Sequence, residues 1–236
     1  MKRFHGPVGA PKKAFAAQRR WLTVGMTSAL ALSGCSEGTG TNVPGHPAGQ
    51  ICDGTLSKSA ADSLRRLAGV DRFTELTGKT DAGEPNKFSL KRAASHLHDG
   101  MNKRSRCTVY KADDDSGIPL IQVDFKAAHQ YPRPERTDQN QARNTTWYDI
   151  GVYANTKGKD STSLYFRCKS SEGGRPTEYI NAGMFSSESK LKGNFVSSDR
   201  MNILNSVARH VAAQLKCGKE ARLPDEVAEK QDEKGD

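Results

Sequence analysis

Apolar positions between residues 50 and 222 recur with two different periods. Leu56, Ala60, Leu64, Leu67 and Ala68 follow the helical period and predict a helix over Ser57–Ala68. Ser59-x-x-Asp62 fits a capping box at its start and Gly69 stops it. A weaker stripe of Leu90, Ala94 and Leu97 predicts a second helix over Phe88–His98, ended by Asp99-Gly100. The third is the clearest: Ser198 can cap it, Leu204, Val207, Ala208, Val211 and Leu215 form its apolar face, and Cys217-Gly218 terminates it.

Between the second and third helices the period changes to two, the alternation of a half-buried strand. Ile121, Val123 and Phe125 alternate with Gln122, Asp124 and Lys126. The theme repeats at Tyr148, Ile150 and Val152, at Leu164, Phe166 and Cys168, and at Ile180, Ala182 and Met184. Arg106–Lys111 is expected to pair with Leu120–Lys126 through the turn "DDDSG". About five strands with one helix-covered face and one more polar face describe an α+β domain: an antiparallel sheet covered by the N- and C-terminal helices.

The ends of the chain have a different character. Residues 1–20 carry Lys2, Arg3, Lys12, Lys13, Arg19 and Arg20 and no acid, and an apolar run from Trp21 to Leu32 leads into Ser33 and Gly34. That order is a secretory signal over residues 1–34. Its apolar core would rise only about 18 Å as a helix, too little for a bilayer core of roughly 30 Å. Leu32-Ser33-Gly34-Cys35 resembles the lipobox of bacterial lipoproteins. The resemblance implies a diacylglyceryl group on the Cys35 sulfur, cleavage that leaves Cys35 as the mature N-terminus, and an anchor in the cell membrane on its extracytoplasmic face. Arg19-Arg20 also allows a twin-arginine export route, although Thr23 departs from that pattern. Residues 35–49 are rich in Gly, Pro and Thr and read as a tether with a coil length of roughly 20 Å. Residues 223–236 are charged and read as a frayed tail.

Charge sharpens the expected partners. Residues 50–219 hold 27 basic and 19 acidic residues. A mildly basic body would be drawn to an anionic membrane or to an acidic wall polymer, or would simply be well solvated. Nucleic acid does not suit an exported chain with so few clustered aromatics.

With Cys35 set aside, Cys52, Cys107, Cys168 and Cys217 remain. An even number in an exported domain points to disulfides, and four cysteines allow three connectivities. Their wide spacing excludes the usual zinc patterns. Pairing Cys52 with Cys107 and Cys168 with Cys217 would staple a helix to a strand twice. A cysteine just ahead of "GTLSKSAADSLRRLAG", then "RCTVY", a strand-borne cysteine and a last helix resemble actinobacterial cell-envelope lipoproteins of unknown function. The resemblance implies a small α+β domain and no catalytic residue to carry over.

Several clusters could hold chemistry. His96, His98 and Asp99 in "HLHDG" are the candidate metal or catalytic group, set against a polar helix end where His meets the helix dipole. Residues two apart on a helix face opposite sides, which disfavours a shared metal. "DDDSG", Asp113–Gly117, is oxygen-rich but lacks the spaced ligands and distal Glu of a calcium loop, so it reads as a hairpin turn. His129 and His210 are isolated, and no Gly-x-Ser-x-Gly elbow or Gly-rich phosphate loop is present. The polar segment from His129 to Thr146 is a candidate binding loop, with Tyr131, Arg133, Arg136 and Arg143 suited to anions and Trp147 at its end. Lys103, Arg104 and Arg106 read as the exposed approach to the Cys107 strand.

The expectation is therefore a lipid-anchored, non-enzymatic binding or accessory module at the cell envelope, with no cofactor implied. Its partner would be an envelope protein or an anionic wall polymer. The alternative is an envelope metal-dependent hydrolase built on His96, His98 and Asp99.

Overall fold

The structure, a computed structural model, describes residues 45–133, 144–172, 174–193 and 196–228. The strands are β1 (His46–Pro47), β2 (Arg72–Glu75), β3 (Cys107–Lys111), β4 (Ile121–Ala128), β5 (Thr145–Trp147), β6 (Tyr153–Lys157), β7 (Ser161–Glu172) and β8 (Arg175–Ser186). The helices are α1 (Lys58–Ala68), α2 (Leu90–Ser95), α3 (Val196–Gln214) and α4 (Gly218–Ala221). All eight strands form one antiparallel sheet in the order β1-β2-β3-β4-β8-β7-β6-β5.

The α+β class, the antiparallel sheet, the flanking helices and both disulfides stand as expected. The strand count does not: the sheet has eight strands rather than about five. β1, β2 and β5 are two to four residues long, too short for a period to register. The expected strand at Tyr148, Ile150 and Val152 is instead a connection between β5 and β6, with Tyr148 and Ile150 buried in the core. Gly151 breaks the alternation there. Its φ is +61°, and a Cβ at this position would meet the Tyr165 carbonyl oxygen at 2.4 Å. The true strand, β6, turns Ala154 and Thr156 inward, small and polar residues that carry no apolar period.

The N-cap of α1 lies two residues earlier than the capping box suggested. Ser57, not Ser59, is the N-cap, its hydroxyl accepting from the Ala60 N–H at 3.2 Å. Gly69 ends the helix at φ +70°, donating its N–H to the Arg65 carbonyl at 2.8 Å. α2 is shorter than Phe88–His98; Ser89 caps it and His96 follows its last residue, so His98 lies beyond it. α3 starts at Val196, which places Ser198 inside its first turn rather than at its cap.

α1 and α3 pack on each other, and α3 rests on β6, β7 and β8. Leu64, Leu67, Ile203, Leu204, Val207 and Val211 from the helices meet Val123, Phe125, Leu164, Phe166 and Ile180 from the strands, all at most 1% exposed. The disulfides Cys52–Cys107 and Cys168–Cys217 join this helical layer to β3 and β7. Each closes a loop of 55 or 49 residues, worth about 4 kcal/mol on the chain-entropy estimate. The hydrophobic face of the sheet is thus spent on the helices. Its other face is left for something else.

Candidate functional site

Registration of the strands decides which residues share the open face. Trp147, Asn155, Ser163, Gly183 and Asp124 stand side by side across β5, β6, β7, β8 and β4. One row further lie Tyr153, Tyr165, Asn181 and Lys126, and on the other side Ser161, Phe185, Gln122 and Thr108. Trp147, Tyr153 and Tyr165 form an edge-to-face ladder, with ring centroids 5.3 and 5.6 Å apart. Edge-to-face packing fixes each ring against the next. Tyr153 is held further by Asn155, whose amide donates to its hydroxyl at 3.0 Å.

The segment from Asp99 to Arg106 passes beside this face and divides it into three adjoining hollows of about 390, 300 and 370 Å³. The first is walled by His98, Lys126 and His129, the second by Leu76, Asn86 and Gln122, the third by Asp124, Gly183 and Phe185. Met101 lines all three, Arg104 the first two and Arg106 the last two. Large exposed apolar side chains gather here. Of the four among the described residues, Leu76, Met101 and Phe185 line these hollows, Met101 at 63% exposure and Phe185 at 48%.

Arg104 and Asp124 sit at the centre. Nη1 of Arg104 lies 3.1 Å from Oδ2 of Asp124 and 3.4 Å from the Phe125 carbonyl. The Arg104 side chain is only 9% exposed, yet its Nε has no hydrogen-bond partner among the described residues. The same holds for Oδ1 of Asp124. Buried polar atoms are normally paired, so an orphan donor next to an orphan acceptor requires an explanation. Burial pushes the Asp124 carboxyl above its ordinary value, while Arg104 and Arg106 pull it back. Arg106 itself has no carboxylate within ion-pair distance among the described residues.

The residues singled out from the sequence fall into place unevenly. His96, His98 and Asp99 do not converge: His96 Nδ1 pairs with Asp99 Oδ2 at 2.5 Å, while His98 Nε2 meets the Ser170 hydroxyl of β7 at 3.1 Å. Among the described residues, the group of three or more ligating side chains close enough to hold an ion is Cys52, Glu75 and Cys107. Both of its sulfurs are consumed in the disulfide. "DDDSG" forms the β3–β4 turn, where Lys190 and Ser116 hold the Asp114 carboxyl well below its ordinary range. His210 bonds the Ser206 carbonyl at 2.9 Å and His129 lines the first hollow. Of the candidate loop, Tyr131 packs edge-on to Tyr179 at 5.1 Å and Arg133 is exposed. Arg136 and Arg143 lie outside the described residues, as does Cys35.

One expectation is overturned. Arg104 is not an exposed approach to β3; its side chain, only 9% exposed, lies against the sheet's open face, where it pairs with Asp124. Gly183 was the missed signal, since a glycine inside an otherwise alternating strand marks close approach by a ligand or another backbone. No family model matches the chain, and no curated protein or solved structure matches it either.

Proposed function

We propose that this chain is a non-enzymatic binding module, tethered by an acylated Cys35 to the outer face of a cell membrane and presenting its open sheet face to an envelope component. The observation that carries the binding part is the set of hollows around Arg104 and Asp124. They combine exposed apolar side chains, Leu76, Met101 and Phe185, with the charged groups of Arg104, Arg106 and Asp124, the composition of a recognition site. The two disulfides suit an oxidising compartment, which supports export. The order Leu32-Ser33-Gly34-Cys35 supports the anchor. No helix among the described residues is long and apolar enough to cross a membrane. Two acyl chains are sufficient for stable attachment without one.

The test is fractionation of cells expressing the full chain and its Cys35→Ala variant, followed by crosslinking of intact cells. The wild type should sediment with membranes and partition into detergent, and Cys35→Ala should be released. Gly183→Val should stay anchored but lose its crosslinked envelope partner. Wild-type chain that carries no acyl group and is free in the medium would refute the anchor. Crosslinks unchanged in Gly183→Val would refute the open face as the binding surface.

A further inference from the structure

We infer that Cys52, Cys107 and Glu75 form a redox-gated zinc site, closed by the disulfide and opened by its reduction. The site draws no residue from the three hollows of the open face.

Glu75 Oε1 lies 3.5 Å from Cys107 Sγ and accepts the Cys52 N–H at 3.2 Å. The two sulfurs and a Glu75 carboxylate oxygen all fall within 4.8 Å of one another. A disulfide offers a carboxylate no proton and no charge, and no basic side chain pairs with Glu75 among the described residues. The oxidised state therefore gives no reason for an acid facing this bridge. A metal ion does. On a tetrahedral zinc with Zn–S of about 2.3 Å and Zn–O of about 2.0 Å, a ligand sulfur and oxygen stand about 3.5 Å apart. Cys107 and Glu75 already hold that spacing. Two sulfurs on the same ion stand about 3.8 Å apart, within reach of side chains whose Cα atoms are separated by 5.4 Å.

The surroundings suit this use. Cys52 and Cys107 are fully buried, whereas Glu75 is only partly so and gives the cluster its route to solvent. The Cys52 N–H fixes the carboxylate, as outer hydrogen bonds fix the ligands of metal sites. Two thiolates select zinc over the hard cations calcium and magnesium, which prefer oxygen alone. Cys168–Cys217 lacks the arrangement: the Cys217 sulfur faces the Ala212 carbonyl at 3.5 Å, and no third ligating side chain joins the pair among the described residues.

Opening the site is a two-electron step. A dithiol forms its own disulfide as the Cys52–Cys107 bond breaks, and its two protons pass to the freed sulfurs. Zn²⁺ then displaces both protons to solvent. Two thiolates and the Glu75 carboxylate hold the ion, and water completes the tetrahedron.

The full-length Cys35→Ala chain retains only the four bridging cysteines, so it isolates the site. After reduction by a phosphine it is titrated with Co²⁺, then with Zn²⁺. The reduced chain should bind one Co²⁺, with a thiolate charge-transfer band and tetrahedral visible bands that Zn²⁺ bleaches. The oxidised chain should show neither. Cys52→Ser/Cys107→Ser should lose the bands and Cys168→Ser/Cys217→Ser should keep them. Glu75→Gln preserves an acceptor for Cys52 and should weaken Zn²⁺ at least tenfold. Zinc should also raise the melting temperature of the reduced chain, because native geometry holds the ion only in the folded state. No binding by the reduced chain, or unchanged affinity in Glu75→Gln, would overturn the site. So would bands that follow Cys168 and Cys217 rather than Cys52 and Cys107. Zinc that binds without raising the melting temperature would place the ion on unfolded chain and overturn it as well.

Discussion

Arg104 Nη1 lies 3.1 Å from Asp124 Oδ2, while the remaining buried atoms of the same two groups, Nε and Oδ1, go without partners among the described residues. The pair is held but incompletely satisfied, which is costly inside a protein and useful at a binding surface. Removing one member leaves the other charged and poorly solvated, so Arg104→Met or Asp124→Leu should each destabilise by about 3 kcal/mol. The double variant Arg104→Met/Asp124→Leu should recover to within about 1 kcal/mol of wild type. Urea unfolding of the four proteins closes the cycle. Additive losses in the double variant would show that the pair contributes no coupling.

Arg200 is the largest fully buried side chain and is not matched to a carboxylate by any ion pair among the described residues. Its guanidinium donates instead to the carbonyls of Val196, Ser161 and Gly158 at 3.2, 3.3 and 2.7 Å, tying the start of α3 to the β6–β7 turn. Arg200→Met would remove all three of these hydrogen bonds. Unfolding experiments should show a loss of at least about 2 kcal/mol. A loss below about 0.5 kcal/mol would mean that water takes over all three acceptors.

Burial raises the Glu75 carboxyl above its ordinary value of 4.5, against the Cys52 N–H that donates to it at 3.2 Å. The folded protein then binds this proton more readily than the unfolded chain. Its favourable contribution is complete below about pH 4.5 and is lost as pH rises through the raised folded value. Glu75→Gln keeps an acceptor for Cys52 and removes the titration. Its melting temperature should gain on wild type progressively from pH 4 to pH 7. A difference constant across that range would mean that Glu75 titrates normally.

Cys168–Cys217 fastens the end of α3 to β7. The Cys168→Ser/Cys217→Ser variant should lose about 2–4 kcal/mol in urea unfolding, because the unfolded chain regains the freedom of a 49-residue loop. Reduction of the wild type should reproduce the loss for this bridge and add that of Cys52–Cys107. Unfolding midpoints unchanged by reduction would refute a stabilising role for either bridge.

Legibility in the sequence followed the strength of local patterning. The α3 stripe from Leu204 to Leu215 and the alternation of Ile121, Val123 and Phe125 are long enough to show which face is buried, and both faces are as expected. Tyr148, Ile150 and Val152 alternate just as well, yet Gly151 turns them into a buried connection. The His96, His98 and Asp99 cluster looked like chemistry because it is dense in sequence. The short α2 separates its members instead, sending His98 to Ser170 and leaving His96 with Asp99.

Residue types and their local periods were enough to determine an α+β domain, its two long helices, an even set of four bridging cysteines and the resemblance of Cys35 to a lipidation site. Those features depend on neighbours a few positions apart along the chain. Tertiary structure alone decided that Trp147, Asn155, Ser163, Gly183 and Asp124 share one row, and that Arg104 packs against Asp124 on this face where it was expected to be exposed. Strand order and register bring together residues that lie far apart in the chain, such as Asp124 and Gly183, 59 positions from one another. No local period encodes such a pairing. It is set by which strands can bury their apolar faces against α1 and α3 at once, and the open face is what remains.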